Sequence, residues 1–306
     1  MSVKVGVIGV GYLGQHHARI YSEIEEADLV AVVDIDKQKA DKFAKQYKCE
    51  PYYDYKDVLD KVDALSIVTP TTTHYSIAKD CLIAGRDILI EKPITVSLEE
   101  ADELINSSFK KNCIIQVGHL ERYNPAILTI SEMIQEPMFL ESERFSPFLG
   151  RGIDVDVTLD LMIHDIDIML SFISSNVKDI HAVGAKILTD KIDVAKAWIE
   201  FENGCIALAT VSRLSPEKQR KLKIFQKESY ILIDYQSSEV KRYYRDDFGT
   251  IKFEQRKPDF KEPLKEEIRD FINCIKNRKR PKVSAIEGRN ALKVILEINN
   301  IIKNGG

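Results

Sequence analysis

Three glycines near the start of the chain have the spacing of a phosphate-binding turn. Gly9, Gly11 and Gly14 follow an apolar run at Val3–Ile8 and precede a helix-like stretch at Gln15–Ile24. In such a turn the first glycine permits a tight bend, the second lets a pyrophosphate approach the backbone, and the third lets helix and strand pack closely. The free N–H groups at the start of the helix then attract phosphate. The motif therefore predicts a dinucleotide-binding loop.

An acidic residue after the second apolar run indicates which dinucleotide the loop binds. Asp34 lies 20 residues beyond Gly14, where a carboxylate accepts hydrogen bonds from ribose hydroxyls and repels a 2′-phosphate. Asp36 adds negative charge, whereas Lys37 weakens the argument. We therefore predict NAD, with NADP less favoured. The alternative ligand is S-adenosylmethionine, which methyltransferases bind with a similar loop and acidic residue.

The loop needs a parallel sheet to position it, and residues 1–120 have the pattern of one. Short apolar runs alternate with longer segments of helical period, such as Lys37–Tyr47 and Ser97–Lys111. Apolar strands separated by helices indicate a doubly wound α/β Rossmann domain, with helices on both faces of the sheet. The predicted strands are Val3–Ile8, Leu29–Val33, Ala64–Val68, Asp87–Ile90 and Cys113–Val117.

After Arg122 the pattern changes to a run of consecutive strands. Asn203-Gly204 is a strong hairpin signal between two of them, and strands joined by tight turns indicate a mainly antiparallel open sheet. We predict an α+β domain over 121–306, in which a helix at 286–303 packs back on the first domain. Its predicted strands are Phe139–Phe145, Ile180–Ile187, Val194–Glu202, Cys205–Arg213, Lys221–Gln226, Tyr230–Asp234 and Glu239–Tyr244, and its helices are Pro125–Gln135, Asp156–Ser174, Leu264–Arg278 and Ile286–Lys303.

Charge and cysteine content exclude several classes of protein. The 306 residues carry 44 Lys+Arg and 48 Asp+Glu, a net charge of −4 without a basic block, which argues against non-specific nucleic-acid binding. No apolar run approaches the roughly 18 residues of a membrane span. The five cysteines are widely spaced and outside any C-x-x-C, so we expect reduced thiols in a cytoplasmic protein. We expect no signal peptide, because a strand begins at Val3.

Six segments, in this order and spacing, resemble one enzyme family. They are GVIGVGYLG (6–14), VVDID (32–36), IVTPTTTH (67–74), EKP (91–93), VGHLERYNP (117–125) and DLMIHDID (160–167). Together they identify the chain as a member of the glucose–fructose oxidoreductase/inositol dehydrogenase (Gfo/Idh/MocA) family over essentially its whole length. The resemblance implies an NAD-dependent sugar dehydrogenase, and the segments are most similar to members that act on UDP-N-acetylglucosamine-type nucleotide sugars.

The resemblance also assigns catalytic roles. Lys92 occupies the place of the family lysine beside the nicotinamide, where an ammonium stabilises alkoxide character. Asp160 and His164 match the family's D-x-x-x-H on a helix that faces the nicotinamide, and their i, i+4 spacing places both on one helix face. Histidine suits the base, because its pKa is near neutral. Asp167 is an alternative carboxylate to orient His164, whereas Asp165 is expected at the surface or as a cap.

Other residues are candidate ligands of the cofactor or the substrate. His74 either stacks near the cofactor or is a buried structural histidine, and His16 and His17 are expected as helix-start residues, one of them near the pyrophosphate. The candidate cofactor-binding residues are Gly9, Gly11, Tyr12, Leu13, Gly14, Asp34, Thr69, Pro70, His74, Glu91 and Lys92. The candidate substrate-binding residues are Lys92, Arg122, Tyr123, Asn124, Asp160 and His164, and Arg144, Arg151 and Arg213 are either extra phosphate ligands or surface residues. No ligand spacing suggests a metal.

We therefore predict hydride transfer from a sugar carbinol to NAD, at C3 of a UDP-N-acetylhexosamine. The alternatives are a dehydrogenase of a free polyol or sugar, an imine-reducing member of the family, and a non-catalytic NAD-binding regulator. Both alternating sets of residues in Cys205–Arg213 are apolar or small, which indicates a sheet covered on both faces. We expect a homodimer or homotetramer formed through the C-terminal sheet, or else loops that cover its second face.

Overall fold

The computed structural model describes residues 2–148, 150 and 155–305, which form two compact units. The first unit contains the residues up to Leu120 together with Glu262–Asn290, and the second contains Glu121–Lys261 together with the residues from Ala291 onward. The segment 262–290 thus packs within the first unit, although it follows the second in the chain. The predicted domain boundaries stay a prediction.

The first unit is built on a parallel sheet of six strands in the order β3-β2-β1-β4-β5-β6. The order reverses between β1 and β4, and open α/β sheets bind their ligands at the carboxyl ends of the strands on either side of such a reversal. The strands are β1 (Val3–Ile8), β2 (Ala27–Val33), β3 (Glu50–Tyr52), β4 (Ala64–Ile67), β5 (Asp87–Glu91) and β6 (Ile115–Gly118). The helices are α1 (Gly14–Glu23), α2 (Lys37–Tyr47), α3 (Thr71–Ile83), α4 (Leu98–Lys111) and, from the later segment, α7 (Pro263–Asn277).

Polar caps and an apolar core fix these helices on the sheet. The side chain of Asp36 accepts hydrogen bonds from the N–H groups of Gln38 and Lys39 and so begins α2. Ser97 caps α4 in the same way. The α7 residue Phe271 is fully buried and belongs to one core cluster with residues of β1 and α1. The late helix therefore completes the core of the first unit.

The second unit is built on an eight-stranded sheet in the order β14-β13-β12-β11-β7-β10-β9-β8. The pair β7–β10 is parallel, and the other neighbouring strands pair antiparallel, as predicted. The strands are β7 (Pro137–Phe145), β8 (Val177–Ala185), β9 (Val194–Phe201), β10 (Ile206–Ser212), β11 (Gln219–Gln226), β12 (Ser229–Asp234), β13 (Glu239–Arg245) and β14 (Ile251–Arg256). The helices are α5 (Pro125–Ile130), α6 (Ile163–Phe172), which follows a π-helical turn at Thr158–Met162, and α8 (Ala285–Gly305), which begins in the first unit.

The predicted hairpin at Asn203-Gly204 joins β9 to β10, and Gly204 has a φ of +85°, which glycine adopts without strain. In β10, Ala207, Ala209 and Val211 are fully buried in the core cluster that contains α6, whereas Ile206 and Leu208 on the other face are half-buried. One face of the sheet is therefore covered by helices of its own unit. None of the described helices is long and apolar enough to span a membrane. All five cysteines are free thiols, and the cytoplasmic location stays a prediction.

Candidate active site

The glycine-rich loop between β1 and α1 leaves open space only above its middle glycine. A Cβ atom on Gly14 would lie 1.8 Å from the carbonyl oxygen of Gly9, and one on Gly9, whose φ is +86°, would lie 2.5 Å from that of Val68. A Cβ atom on Gly11 would meet no described atom within 4 Å. The outer glycines thus allow the bend and the close packing, and the loop can receive a phosphate over Gly11.

Asp34 lies at the carboxyl end of β2 and is tied to the same loop. Its Oδ2 accepts a hydrogen bond from the Val10 N–H at 3.0 Å, and its Oδ1 accepts one from the Asp36 N–H at 2.9 Å. Each carboxylate oxygen keeps a lone pair for a ribose hydroxyl. Asp34 and Gly11 line a cavity of about 690 Å³ that also includes Thr69. This volume is within the range of small-molecule sites, so the cavity fits a dinucleotide.

The end of β5 carries Glu91 and Lys92, and a buried polar chain reaches the carboxylate of Glu91. His17 Nε2 lies 3.3 Å from Glu91 Oε1, and His17 Nδ1 lies 3.3 Å from Ser66 Oγ, which also contacts the Tyr21 hydroxyl at 2.8 Å. Burial opposes ionisation of Glu91, but the contacts with His17 and Lys92 together hold the pKa of Glu91 below its ordinary value. The carboxylate before Lys92 is therefore held in place by its contact with His17 and by the Lys92 N–H, which donates to it at 3.3 Å.

His74 holds two predicted cofactor segments together. Its Nδ1 lies 2.9 Å from the carbonyl oxygen of Pro93, and its Nε2 lies 2.9 Å from that of Thr69. The residue is 1% exposed, and burial lowers the pKa of its ring, although the two carbonyls act in the opposite direction. The side chain is thus a buried histidine that positions the backbone around Lys92, and a direct contact with the cofactor stays a prediction.

In the second unit, Asp160 and His164 lie on either side of a change in helix type. Asp160 belongs to the π-helical turn, and His164 to the first turn of α6. Both are half-buried, whereas Met162 and Ile163 between them are fully buried. Single π-helical turns recur at functional sites, because they redirect side chains along a helix. The predicted pair therefore occurs at the irregular start of this helix.

The expected surface position of Asp165 is wrong. Asp165 is 2% exposed, and it accepts hydrogen bonds from Arg144 Nε at 2.8 Å and Arg144 Nη2 at 2.9 Å. Arg144, also 2% exposed, donates a further bond to Glu121 at 3.0 Å. The prediction fails because most of α6 is buried, including Ile166 and Asp167. The carboxylate of Asp165, next to His164 in the chain, is therefore paired with a buried arginine and is not solvated.

The predicted substrate-side segment is embedded in the second unit. Arg122 Nε donates a hydrogen bond to Asp167 at 2.8 Å. Tyr123 is 3% exposed, and Asn124 caps α5 by accepting a bond from the Ala126 N–H. These contacts show structural roles for the segment. Binding of substrate by its residues stays a prediction.

Two of the three arginines considered as phosphate ligands, Arg144 and Arg213, lie within the described residues, and both are buried. Arg144 is held by Asp165 and Glu121, and Arg213 is 6% exposed and donates to the Val155 carbonyl oxygen at 2.7 Å. Arg151 lies outside the described residues. Surface positions for Arg144 and Arg213 are therefore wrong, because buried carboxylate and carbonyl groups take their N–H donors.

Comparison with known proteins connects this geometry to a family. Residues 3–119 match a family model described as an oxidoreductase family with an NAD-binding Rossmann fold, and residues 137–231 match the GFO/IDH/MocA C-terminal domain. The UDP-N-acetylglucosamine 3-dehydrogenase of Acidithiobacillus ferrooxidans is 36% identical over 97% of this chain and 96% of its own. The chain belongs to the GFO/IDH/MocA family.

Solved structures agree with this assignment. The structure of the UDP-N-acetylglucosamine 3-dehydrogenase GnnA from A. ferrooxidans has a TM-score of 0.94 at 35% identity, and the match covers 99% of each chain. The scyllo-inositol 2-dehydrogenase (NAD(+)) of Bacillus subtilis is 28% identical over 99% of this chain and 95% of its own. A levoglucosan dehydrogenase solved with NADH shares the fold, with a TM-score of 0.90 at 17% identity and coverage of 99% and 98%.

These matches confirm the fold class, the oxidoreductase class and the cofactor predicted from the sequence. This GFO/IDH/MocA protein is an NAD-dependent oxidoreductase that acts on a CH–OH group. Within the described ranges, no three or more His, Cys, Asp and Glu side chains form a group that could hold a metal ion. Metal-free catalysis stays a prediction.

Two features of this GFO/IDH/MocA oxidoreductase were missed from sequence. His17, expected as a helix-start residue, is fully buried against Glu91. Its position three residues after Gly14 gives a signal, since a helix that packs on its strand turns that residue towards the sheet. Lys218 and Arg220, at the start of β11, were also missed. Alternation with the apolar Leu222 and Ile224 would have placed Arg220 on the buried face.

Proposed function

We propose that this protein oxidises the C3 hydroxyl of a UDP-linked N-acetylhexosamine to a 3-keto sugar, with NAD as the acceptor. The observation that carries the proposal is the full-length match, at 36% identity, to a UDP-N-acetylglucosamine 3-dehydrogenase. Inositol dehydrogenases that the chain resembles are between 23% and 29% identical. The difference favours a nucleotide sugar over a free polyol as substrate.

Two side chains act on the substrate in the proposed reaction, and a third supports one of them. His164 accepts the hydroxyl proton on a ring nitrogen, and Asp160 stabilises the imidazolium that forms. Lys92 donates a hydrogen bond to the same oxygen and stabilises the negative charge that develops there. NAD, when bound, supplies the nicotinamide ring that accepts the hydride from C3.

The remaining proposed residues hold the cofactor and the backbone around Lys92. Gly9, Gly11 and Gly14 form the phosphate turn, and Asp34 accepts hydrogen bonds from the ribose. His74 restrains the backbone on either side of the site through its contacts with Thr69 and Pro93. Such restraint favours catalysis because a reacting group gains most when its geometry is fixed before the substrate binds.

The substrate is tested with a panel of alcohols. Purified protein is first checked for bound nicotinamide. If cofactor is present, a 2-oxo acid is added as acceptor and the keto sugar is measured by mass spectrometry, because the acceptor reoxidises the reduced nicotinamide. The protein is then incubated with NAD and UDP-N-acetylglucosamine, UDP-N-acetylgalactosamine, free N-acetylglucosamine, or scyllo- and myo-inositol, while the absorbance of the reduced nicotinamide is followed. We expect turnover of a UDP-sugar and a 3-keto product by mass spectrometry and NMR.

Each other result selects a different function. Turnover of inositols or free sugars without turnover of UDP-sugars would assign the chain to the polyol alternative. NAD binding without turnover of any member of the panel would favour the non-catalytic regulator. Either result would contradict the nucleotide-sugar proposal.

We also propose that a second copy of the chain covers the exposed face of the eight-stranded sheet. The support is a row of aromatic side chains that crosses the sheet on the face opposite Leu140 and Ile224. Neighbouring ring centroids are 4.7–6.3 Å apart, and the row consists of Trp198, Phe139, Phe225, Tyr230, Tyr243 and Phe253. Tyr243 and Phe253 are 46% and 52% exposed. Contiguous exposed apolar surface of this kind is typical of protein–protein interfaces.

The predicted interface is tested by light scattering coupled to size exclusion. We expect the protein to elute as a dimer or larger species, and the double variant Phe225→Lys/Tyr243→Lys to elute as a smaller one, because charged side chains oppose burial at an interface. Phe109→Lys is the matched control, since Phe109 is 70% exposed in the first unit. A monomeric wild type, or an unchanged mass in the double variant, would contradict the proposal.

A further inference from the structure

Two cationic residues, Lys218 and Arg220, lie on either side of Gln219, the first residue of β11. Arg220 shares its strand face with Leu222 and Ile224, which are buried, yet its own side chain is 33% exposed. Lys218 precedes the strand and is exposed. The charge of Arg220 is the main cause that lowers the pKa of Lys218, with partial burial as the second. The positive charge of Arg220 thus disfavours a second cation at Lys218, two residues before it.

The surrounding carboxylates give Arg220 only limited compensation. Arg220 lies directly opposite Arg144 in the register of β11 and β7, and like charges in that position are destabilising. Glu121 Oε1 lies 3.0 Å from Arg144 Nη1 but 3.5 Å from Arg220 Nη1. Asp165 receives its two hydrogen bonds from Arg144. Most of the negative charge in this cluster thus compensates the positive charge of the buried Arg144.

These interactions leave the positive charge of Arg220 incompletely compensated. Burial, and then the charge of Arg144, lower the pKa of Arg220, although Glu121, Asp165 and Asp160 oppose them. A cation whose charged form is disfavoured by its surroundings gains from an anionic ligand. The exposed end of the cluster, at Lys218 and Arg220, is where such a ligand can enter.

We propose that Lys218 and Arg220 bind the diphosphate of a nucleotide-sugar substrate. The proposal rests on the function proposed above and adds to it the residues that distinguish a nucleotide sugar from a free sugar. A guanidinium suits bidentate recognition of phosphate oxygens, and an ammonium adds a mobile point charge. Arg144 and Arg213 are buried, so we assign phosphate binding to Lys218 and Arg220.

The location of the pair matches the shape of such a substrate. Arg220 lies 3.5 Å from Glu121, which also contacts Arg144, the partner of Asp165. Asp165 is next to His164 in α6, so the cationic pair belongs to the same part of the unit as the proposed base. In a nucleotide sugar the diphosphate is bonded to C1. It therefore lies within one sugar ring of the hydroxyl on C3. A free polyol has no group that could use this site.

The test compares Lys218→Gln, Arg220→Gln and the double variant with Lys227→Gln, a matched control at the other end of β11. Wild-type turnover of UDP-N-acetylglucosamine is measured first, because it tests the proposed function by itself. We expect Lys218→Gln to raise the KM and the inhibition constant of UDP about tenfold, the scale of one charge-assisted hydrogen bond, with kcat nearly unchanged. Added salt should raise the wild-type KM and affect the double variant less. Inhibition by uridine, which has no phosphate, should not change.

The outcomes separate the two proposals. If the wild type turns over the UDP-sugar but the KM and UDP inhibition of all three variants stay within twofold of its values, the diphosphate site is wrong and the proposed function stands. If the wild type does not turn over the UDP-sugar, calorimetric titration with UDP decides. Binding that the double variant weakens would support the site although the function fails, and no binding to the wild type would overturn both.

Discussion

Replacement of His164 by asparagine is expected to lower kcat by about 10²- to 10⁴-fold, the usual contribution of a positioned general base. Asparagine keeps a polar side chain of similar reach but cannot accept the hydroxyl proton.

Lys92→Met is expected to lower kcat by about 10²- to 10³-fold, because the substrate oxygen then loses a hydrogen-bond donor as negative charge develops on it. Both variants are measured as initial rates at saturating NAD and UDP-N-acetylglucosamine. The dissociation constant of NAD, measured by calorimetry, should change less than twofold in His164→Asn.

The chain offers a matched control for the histidine. His181 has its own aspartate partner, with Nε2 3.2 Å from Asp179 Oδ2, but its side chain is 68% exposed. His181→Asn therefore removes a histidine–aspartate contact and should leave kcat unchanged. Full turnover in both His164→Asn and Lys92→Met would rule out the proposed catalytic roles. Equal loss in His181→Asn would show that the effect is not specific to the site.

Most of the parallel sheet follows from patterns that are local in the sequence. A strand buried on both faces is a short continuous apolar run, and Val3–Ile8 and Ala64–Ile67 show it clearly. The strands at the edges of the two sheets were harder to predict from the sequence. Glu50–Tyr52 has only three residues, and none of Ile251–Arg256 is buried, so neither has the apolar signal on which the prediction depends. Both strands were missed.

The residue at which a helix ends was also hard to predict from the sequence. The prediction extended a helix from Pro125 to Gln135, but α5 ends at Ile130 and turns follow it. Its apolar residues continue with helical spacing beyond that point, at Met133 and Ile134, and both pack against the core from non-helical backbone. Periodicity reports which residues face the core, and it does not report whether the backbone between them stays helical.

The charged residues of the site were predicted unevenly for a physical reason. A glycine turn is local geometry, so Gly14 could be placed from its spacing, whereas His164 was assigned through the resemblance to the family and its role stays a prediction. The partner of a buried charge comes from a distant part of the chain. Arg144 meets Asp165 across 21 residues, and nothing local distinguishes that arginine from a solvated one. The buried ion pair was therefore found only in the structure.

That ion pair should be important for stability. Arg144 neutralises both Asp165 and Glu121, and burial raises the pKa of Asp165 even though Arg144 opposes the shift. Removal of the arginine leaves two buried carboxylates without their main cation. Such an uncompensated charge costs about 3–5 kcal/mol, so Arg144→Met should lower the free energy of unfolding by about that amount, measured by urea denaturation.

A second substitution shows whether the cost comes from charge or from lost packing. In Arg144→Met/Asp165→Asn one buried carboxylate is replaced by a neutral amide, and we expect the double variant to be more stable than Arg144→Met, since apolar or neutral replacement of a buried pair is often nearly neutral. The control is Arg256→Met, which breaks an ion pair with Glu254 whose arginine is 52% exposed and should cost less than about 1 kcal/mol. If the double variant is as unstable as Arg144→Met, the loss arises from packing around the arginine stem. Since Asp165 adjoins His164 on α6, a loss of kcat that persists in the double variant after stability has recovered would indicate that the ion pair also positions the proposed base.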